Sequence, residues 1–334
     1  MQTQTSLRYV GMPLNRHSAE REAAQWVEDQ QYAVEARFLA IRDNDHLATI
    51  PDEHGGNDFE VLYLAREELL GALEADCQWV YLGHEHTTPV FCVDLDGIQD
   101  EVVDDIISAQ SEKTGRAVEF IDLRKLGPVL PTAEAATLGY ARGINIWHQN
   151  HQFCGRCGTS TAAQRGGHMR KCLSQTCGKE TYPRIDPAVI MLVERLAADG
   201  TRYCLLGRHK GLPRGIYSTL AGYVDPGESM EEAVAREVME ESGIAIQTTQ
   251  YIASQPWPFP SSLMVGFRAQ TEQINIDRSL DELEDVAWFT AEEVRQFSEY
   301  DKAHDNSSDN ANKALPRKDS IARILIDMWL TENS

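Results

Sequence analysis

The stretch Gly222-Tyr223-Val224-Asp225-Pro226-Gly227-Glu228-Ser229-Met230-Glu231-Glu232-Ala233-Val234-Ala235-Arg236-Glu237-Val238-Met239-Glu240-Glu241-Ser242-Gly243-Ile244 decides the fold. Seven positions carry the pattern: Gly222, Glu228, Arg236, Glu237, Glu240, Glu241 and Gly243. At average residue usage, a match at all seven arises by chance in fewer than about one in 100,000 chains of this length. Ser229 reads as a helix N-cap with Glu232 as its capping-box partner, and Gly243 stands where a left-handed glycine ends a helix. The segment is therefore loop, helix, turn. Glu237, Glu240 and Glu241 share one helix face at i, i+3, i+4 spacing, where bare carboxylates would repel. An ordinary acidic helix could leave them in solvent, with Arg236 as the i+4 partner of Glu232. The glycine spacing argues instead for hard divalent cations, Mg²⁺ or Mn²⁺, which prefer carboxylate oxygen and recruit phosphate oxygen.

The segment resembles the Nudix box, the signature of hydrolases that cleave a nucleoside diphosphate linked to another group, and fits at every fixed position. The resemblance implies a loop-helix-loop holding metals against a pyrophosphate on a mixed α/β sandwich, with the Ala221 carbonyl as a further ligand. It also implies that Glu282, six residues before Trp288, completes the metal site; without it, Asp281 to Asp285 would read as an acidic turn.

A second signal follows the box. Ser254-Gln255-Pro256-Trp257-Pro258-Phe259-Pro260-Ser261-Ser262 has three alternating prolines, which fix φ and remove amide donors. A stiff extended loop is expected, unsuited to helix or central strand. Trp257 and Phe259 offer rings to stack on a base or nicotinamide, and the flanking Gln and Ser offer hydrogen bonds to its edges; the bland alternative is a surface loop with its aromatics tucked into the core. The stretch resembles the motif of the NADH pyrophosphatase branch of the Nudix hydrolases. By that resemblance Gln255 to Ser262, Tyr182, Tyr223 and Ala322 contact the nucleotide; Tyr223 reads nearly as well as a core residue, and Arg323 as a surface one.

The third signal is Cys154-x₂-Cys157 followed by Cys172-x₄-Cys177, spacings that suit one closed, tetrahedral, structural zinc ion. Two disulfides are the rival, disfavoured because no signal peptide opens the chain and a reducing cytoplasm is expected. The same family branch carries a zinc ribbon before its Nudix domain, with a tighter second knuckle than the one found here. Cys77, Cys92 and Cys204 lie in apolar stretches and read as packing residues.

These signals order the chain as an N-terminal α+β domain over 1–130, a connecting helix over 131–150, a zinc ribbon over 151–182 and a Nudix α/β/α sandwich over 183–334. The overall class is mixed α/β. In the last part, apolar runs at 188–193 and 203–206 flank a hairpin turn at Asp199-Gly200; Ile321, Ile324, Leu325 and Met328 form a helical stripe; the polar run 301–312 reads as a flexible loop over the site. With 334 residues, 42% of them hydrophobic, the chain can bury several cores, and no apolar run reaches the length of a membrane span. A net charge of −21 argues against an extensive phosphate-tracking surface and leaves only a small local basic patch open.

The expected reaction is metal-assisted hydrolysis of the pyrophosphate of NADH or NAD⁺ to nicotinamide mononucleotide and AMP, with two to three ions on Glu237, Glu240, Glu241 and Glu282. Either Glu240 or Glu241 serves as general base, and Arg236 holds a glutamate through a bidentate pair. The resemblance equally admits the NAD cap of an RNA 5′ end, and it implies a homodimer. The alternatives are another substrate such as ADP-ribose, or a silent NAD sensor, against which the intact carboxylate set speaks.

Overall fold

The computed structural model describes residues 7–51, 58–75, 77–210, 215–277, 283–300 and 313–333. Glu282 and the polar run 301–312 lie outside them. The chain divides into two compact units: Tyr9–Arg184 with Pro258–Ser261, the ribbon unit, and Met1–Arg8, Ile185–Trp257 and Ser262–Ser334, the box unit.

In the ribbon unit, helix α1 (Ala24–Gln31) precedes strands β1 (Arg37–Arg42), β2 (Asp45–Thr49), β3 (Glu60–Val61) and β4 (Tyr63–Leu64). Helix α2 (Leu70–Glu74), strands β5 (Trp79–Glu85) and β6 (Thr88–Asp94), helix α3 (Asp100–Thr114), strand β7 (Val118–Ile121) and helix α4 (Leu123–Leu126) follow. The strands form one mixed sheet of order β3-β2-β1-β6-β5, with β4 on β1 and β7 on β2. Phe38, Phe91, Val103 and Ile106 anchor its core, because the apolar side chains of β1 and β6 meet the apolar stripe of α3. Helix α5 (Thr132–Asn150) then leads into a three-stranded sheet of β8 (Thr161–Gln164), β9 (Met169–Cys172) and β10 (Glu180–Thr181). Of the three other cysteines, Cys92 and Cys204 are buried as expected, whereas Cys77 is only partly so.

The box unit holds a six-stranded sheet: β11 (Asp186–Leu196), β12 (Arg202–His209), β13 (Leu220–Tyr223), β14 (Thr248–Trp257), β15 (Ser262–Gln270) and β16 (Leu283–Thr290). The order is β14-β15-β11-β12-β16 with β13 on β11, parallel at β11·β15 and antiparallel elsewhere. Central strand β11 is a continuous apolar run from Ala188 to Val193, as a strand covered on both faces requires. On one face Val189, Met191 and Val193 pack with Ala233, Val234 and Val238 of helix α6 (Met230–Ser242). Each such valine burial contributes about 1.5–3 kcal/mol. On the other lies helix α8 (Ile321–Glu332), which follows the short helix α7 (Ala291–Arg295). Gly266 lets α8 close in, since a Cβ there would come within 2.7 Å of Ile321 Cδ1. The stripe on α8 is wider than expected: Ile326 and Trp329 are also fully buried.

One expectation needs correction. The proline-rich stretch is not a loop throughout: Gln255, Pro256 and Trp257 extend β14, opposite Met264, Leu263 and Ser262 of β15. Strand β14 is at the sheet edge, where proline's missing amide removes no ladder bond. Only Pro258 to Ser261 form the turn, with a cis bond between Phe259 and Pro260.

Candidate active site

Helix α6 starts and stops as its sequence dictates. The Ser229 hydroxyl accepts from the Glu232 amide at 3.2 Å, and Glu232 Oε2 accepts from the Ser229 amide at 2.8 Å. At the other end Gly243 takes φ 67° and its amide donates to the Met239 carbonyl at 2.8 Å. These caps fix the register that presents the glutamates.

Glycine at 222 follows from a close approach. A Cβ there would lie 1.9 Å from Cδ of Glu237 and 2.0 Å from its Oε1, so the carboxylate rests directly on the backbone of β13. The three glutamates differ in depth: the Glu237 and Glu240 side chains are 14% and 56% exposed, and Glu241 is buried. Burial raises the pKa of Glu237 against the lowering pull of Arg236, so charge on this carboxyl is costly until a cation comes near.

Arg236 is the clamp. Its Nε and Nη2 donate to the two oxygens of Glu228 at 2.6 and 3.0 Å, its Nη1 to Glu237 Oε1 at 2.8 Å and Glu240 Oε2 at 3.0 Å, and its Nη2 also to the Tyr223 carbonyl at 2.8 Å. The expected bidentate pair is thus with Glu228, while Glu237 and Glu240 each receive a single bond. The hydrogen bond from Arg236 depresses the pKa of Glu228, with the Asp225 amide adding to it. Glu232, the alternative partner of Arg236, is occupied in the cap.

On the α8 face of the sheet, opposite helix α6, is an apolar cavity of about 300 Å³, walled by Ile190, Ile216, Met264, Trp257 and Ala322. Ile190 is the strand partner of Ala221, so the cavity adjoins the backbone expected to supply a carbonyl ligand. Three nucleotide-contact residues expected from sequence, Gln255, Trp257 and Ala322, therefore line one pocket. Tyr223 is exposed, with its hydroxyl 3.3 Å from Ser262 Oγ. Arg317 and Tyr300, unforeseen from sequence, also line the cavity; Arg317 is paired bidentately with Asp319 at 2.9 and 2.7 Å.

Several of the expected contacts have side chains engaged within the fold. Gln255 is fully buried: its amide nitrogen donates to the Asp319 carbonyl at 2.7 Å and the Arg8 carbonyl at 3.2 Å, and its oxygen accepts from the Ile321 amide at 2.8 Å. It pins the start of α8 rather than offering its amide to a base edge. Arg323 is buried, not on the surface, bonded to Glu299 at 2.7 and 3.1 Å and to Asp327 at 2.9 Å. Pro258 to Ser261 and Tyr182 group with the ribbon unit. There the Pro258 carbonyl accepts from Arg142, the Phe259 ring lies edge-on to Tyr9 with centroids 5.9 Å apart, and the Arg124 guanidinium sits 4.3 Å from the Phe259 centroid. The Tyr182 hydroxyl donates to Glu180 at 2.7 Å.

The candidate metal ligands fall into two kinds. Cys154, Cys157, Cys172 and Cys177 bring their sulfurs within 4.8 Å of one another, and are the one such group among the described residues. The Cys157–Cys172 and Cys154–Cys177 separations of 3.5 and 3.9 Å bracket the ~3.8 Å edge of a tetrahedron with Zn–S bonds of ~2.3 Å. The Arg156 amide donates to Cys154 Sγ at 3.4 Å and, as the largest influence, lowers the pKa of that thiol toward the thiolate zinc needs. Carboxylates and a backbone carbonyl around Gly222 are a hard oxygen set that suits Mg²⁺ or Mn²⁺ instead.

Comparison with known proteins agrees. Residues 186–310 match the NUDIX domain, 35–147 the NADH pyrophosphatase-like rudimentary NUDIX domain and 149–182 the NADH pyrophosphatase zinc ribbon domain. The NAD-capped RNA hydrolase NudC of Stutzerimonas stutzeri is 39% identical over 249 residues, covering 75% of this chain and 76% of that protein. The human NAD-capped RNA hydrolase NUDT12 is 45% identical over 210 residues, 61% of this chain but 43% of that longer protein. The chain thus spans less than half the length of this human relative. A NUDIX hydrolase structure from Nitrosomonas europaea aligns with a TM-score of 0.35 at 21% identity, over 41% of this chain and 77% of that one.

Proposed function

We propose, for a chain that belongs to the zinc-ribbon NADH pyrophosphatase branch of the Nudix hydrolases, hydrolysis of the pyrophosphate bond of NADH and NAD⁺ to nicotinamide mononucleotide and AMP. The observation that carries it is the seat of Glu237 on Gly222 of strand β13, whose neighbouring residue Ala221 pairs with Ile190 of the cavity that Trp257 and Ala322 line on the other face of the sheet. Two to three bound Mg²⁺ or Mn²⁺ ions would neutralise the diphosphate and lower the pKa of a water for in-line attack on phosphorus. Glu237, Glu240, Glu241, Glu282 and the Ala221 carbonyl would hold them. Arg236 keeps Glu237 and Glu240 in place and does not meet substrate, since its donors are committed to carboxylates and the Tyr223 carbonyl. Glu240, the more exposed glutamate, and Glu241 remain the two candidates to take the proton from the water.

Trp257 stacks on one ring of the dinucleotide, with Ala322 lining the same pocket and Tyr223 and Ser262 beside it. Phe259, Pro258, Pro260, Ser261 and Tyr182 are secondary contacts in this proposal. The names of the bacterial and human relatives support removal of the NAD cap from RNA 5′ ends as a second activity of the same site. The proposal includes one structural zinc ion, a homodimer and a cytoplasmic location; among the described residues no helix is long and apolar enough to cross a membrane. Chromatography after incubation with NADH, NAD⁺, ADP-ribose and NAD-capped RNA, with and without Mn²⁺, is the test. Nicotinamide mononucleotide and AMP from NADH are expected; turnover of ADP-ribose alone would refute the substrate assignment.

A further inference from the structure

Charge is distributed unevenly along this chain. Within a molecule of net charge −21, the segment from His151 to Arg184 carries Arg156, Arg165, Arg170, Lys171, Lys179 and Arg184 against a single carboxylate, Glu180. Not all of these cations are available. Arg165 pairs with Glu22 at 3.4 Å, and Arg170 is buried, bonded to Thr161 and to His148. Arg156 and Lys179 are exposed, Lys171 is half-buried, and all three stand outside the ion pairs found among the described residues.

The same segment exposes apolar surface that a small ribbon would ordinarily cover. Phe153 and Leu173 are 65% and 61% exposed. Phe153 bridges Ser160, and the Leu173 amide donates to the Ser160 carbonyl at 3.0 Å, so the three lie side by side in one cross-strand row. Side chains opposite one another across a sheet share a face, and Lys171, two residues from Leu173 on β9, shares it too, with Glu180 as its own cross-strand partner. Phe153 and Leu173 flank Cys154 and Cys172, and Arg156 lies within the first knuckle while Lys179 follows the second. An exposed ring and an apolar neighbour on one face, Arg156 in the first knuckle and Lys179 opposite Cys172 on the other face therefore surround the end of the ribbon that the four sulfurs organise.

We propose that this metal-bearing end of the zinc ribbon is a docking surface for single-stranded RNA, with Phe153 stacking on a base and Arg156, Lys171 and Lys179 contacting backbone phosphates. The juxtaposition is what sequence-tolerant single-strand binding requires: a π-face for any base and a few cations for the chain. A short patch suits an acidic protein, which would repel a long polyanion elsewhere along its surface. The inference rests on the reading that NAD-capped RNA is a substrate, and supplies a hold on the RNA beyond its cap.

The test is fluorescence anisotropy of a short labelled single-stranded RNA with a 5′-hydroxyl, titrated with the full zinc-loaded protein at several salt concentrations. NADH turnover, zinc content and melting are measured in parallel. Arg156→Gln with Lys179→Gln should weaken binding on the order of tenfold at moderate salt and flatten the log–log salt slope by roughly 1.4. Phe153→Ala should weaken it by about tenfold. NADH turnover should be unchanged in these variants. Equal RNA affinity and salt slope in wild type and variants would overturn the proposal. So would a wild type that does not bind, or a Phe153→Ala/Leu173→Ala variant that changes sedimentation but not RNA affinity, which would assign the face to a second copy of the chain. Loss of RNA binding in the variants, with no NADH turnover in any protein, would instead reject the proposed hydrolase activity and leave the docking surface standing.

Discussion

The four cysteines of the ribbon and the glutamates of the box are the two proposed metal-ligand sets, yet the protein holds them in opposite ways. The sulfurs converge within 4.8 Å because two short knuckles joined by β8 and β9 bring them together. Carboxylates cannot crowd without cost, so Glu237 and Glu240 are tied to Arg236 and Glu241 is tucked inward. Ligands already converged suit an ion that stays, whereas ligands held by a cationic side chain suit ions that exchange.

The largest effect that would test this contrast is zinc removal. A structural zinc site binds with roughly 10–16 kcal/mol, so chelation should unfold the ribbon and lower the melting temperature, rather than only inhibit. Calorimetry with and without chelator decides; unchanged melting would end the structural reading. Next in size is Glu241→Gln, expected to lower NADH turnover by roughly 10²–10⁴-fold while leaving zinc content and melting near wild type. Wild-type turnover would remove Glu241 from the machinery. Smaller still is Gly222→Ala, whose new Cβ must displace a carboxylate only 1.9 Å away. Turnover should fall by about 10²-fold, with the cysteine site untouched. A fully active alanine variant would show that the seat of Glu237 does not matter.

How far this contrast was legible in the sequence depended on the distance between partners. The caps of α6 were readable because Ser229 and Glu232 lie three residues apart, and Arg236 could be expected to hold a carboxylate because box glutamates surround it. That Glu228 is its bidentate partner follows from the loop bending back over the helix, which spacing does not encode. The engagement of the Gln255 amide within the fold is not encoded locally, because its partners, Asp319 and Ile321, are 64 and 66 residues away. Phe259 looked like a free stacking ring, yet the turn it belongs to is held by Arg142, 116 residues before Pro258. The likeness of residues 35–147 to a rudimentary NUDIX domain was not legible either, since that region has no second copy of the glycine-glutamate spacing. Arg317 and Tyr300 were hidden on either side of a polar run that gave no pattern to read.

The most direct measurement is calorimetric titration of Mn²⁺ into the zinc-loaded protein and into its Glu237→Gln variant, each checked for unchanged melting. Saturable binding to the wild type, weakened by about tenfold or more in the variant, is the expected result. Equal Mn²⁺ binding by both would contradict the claim that the box carboxylates on α6 hold the catalytic ions.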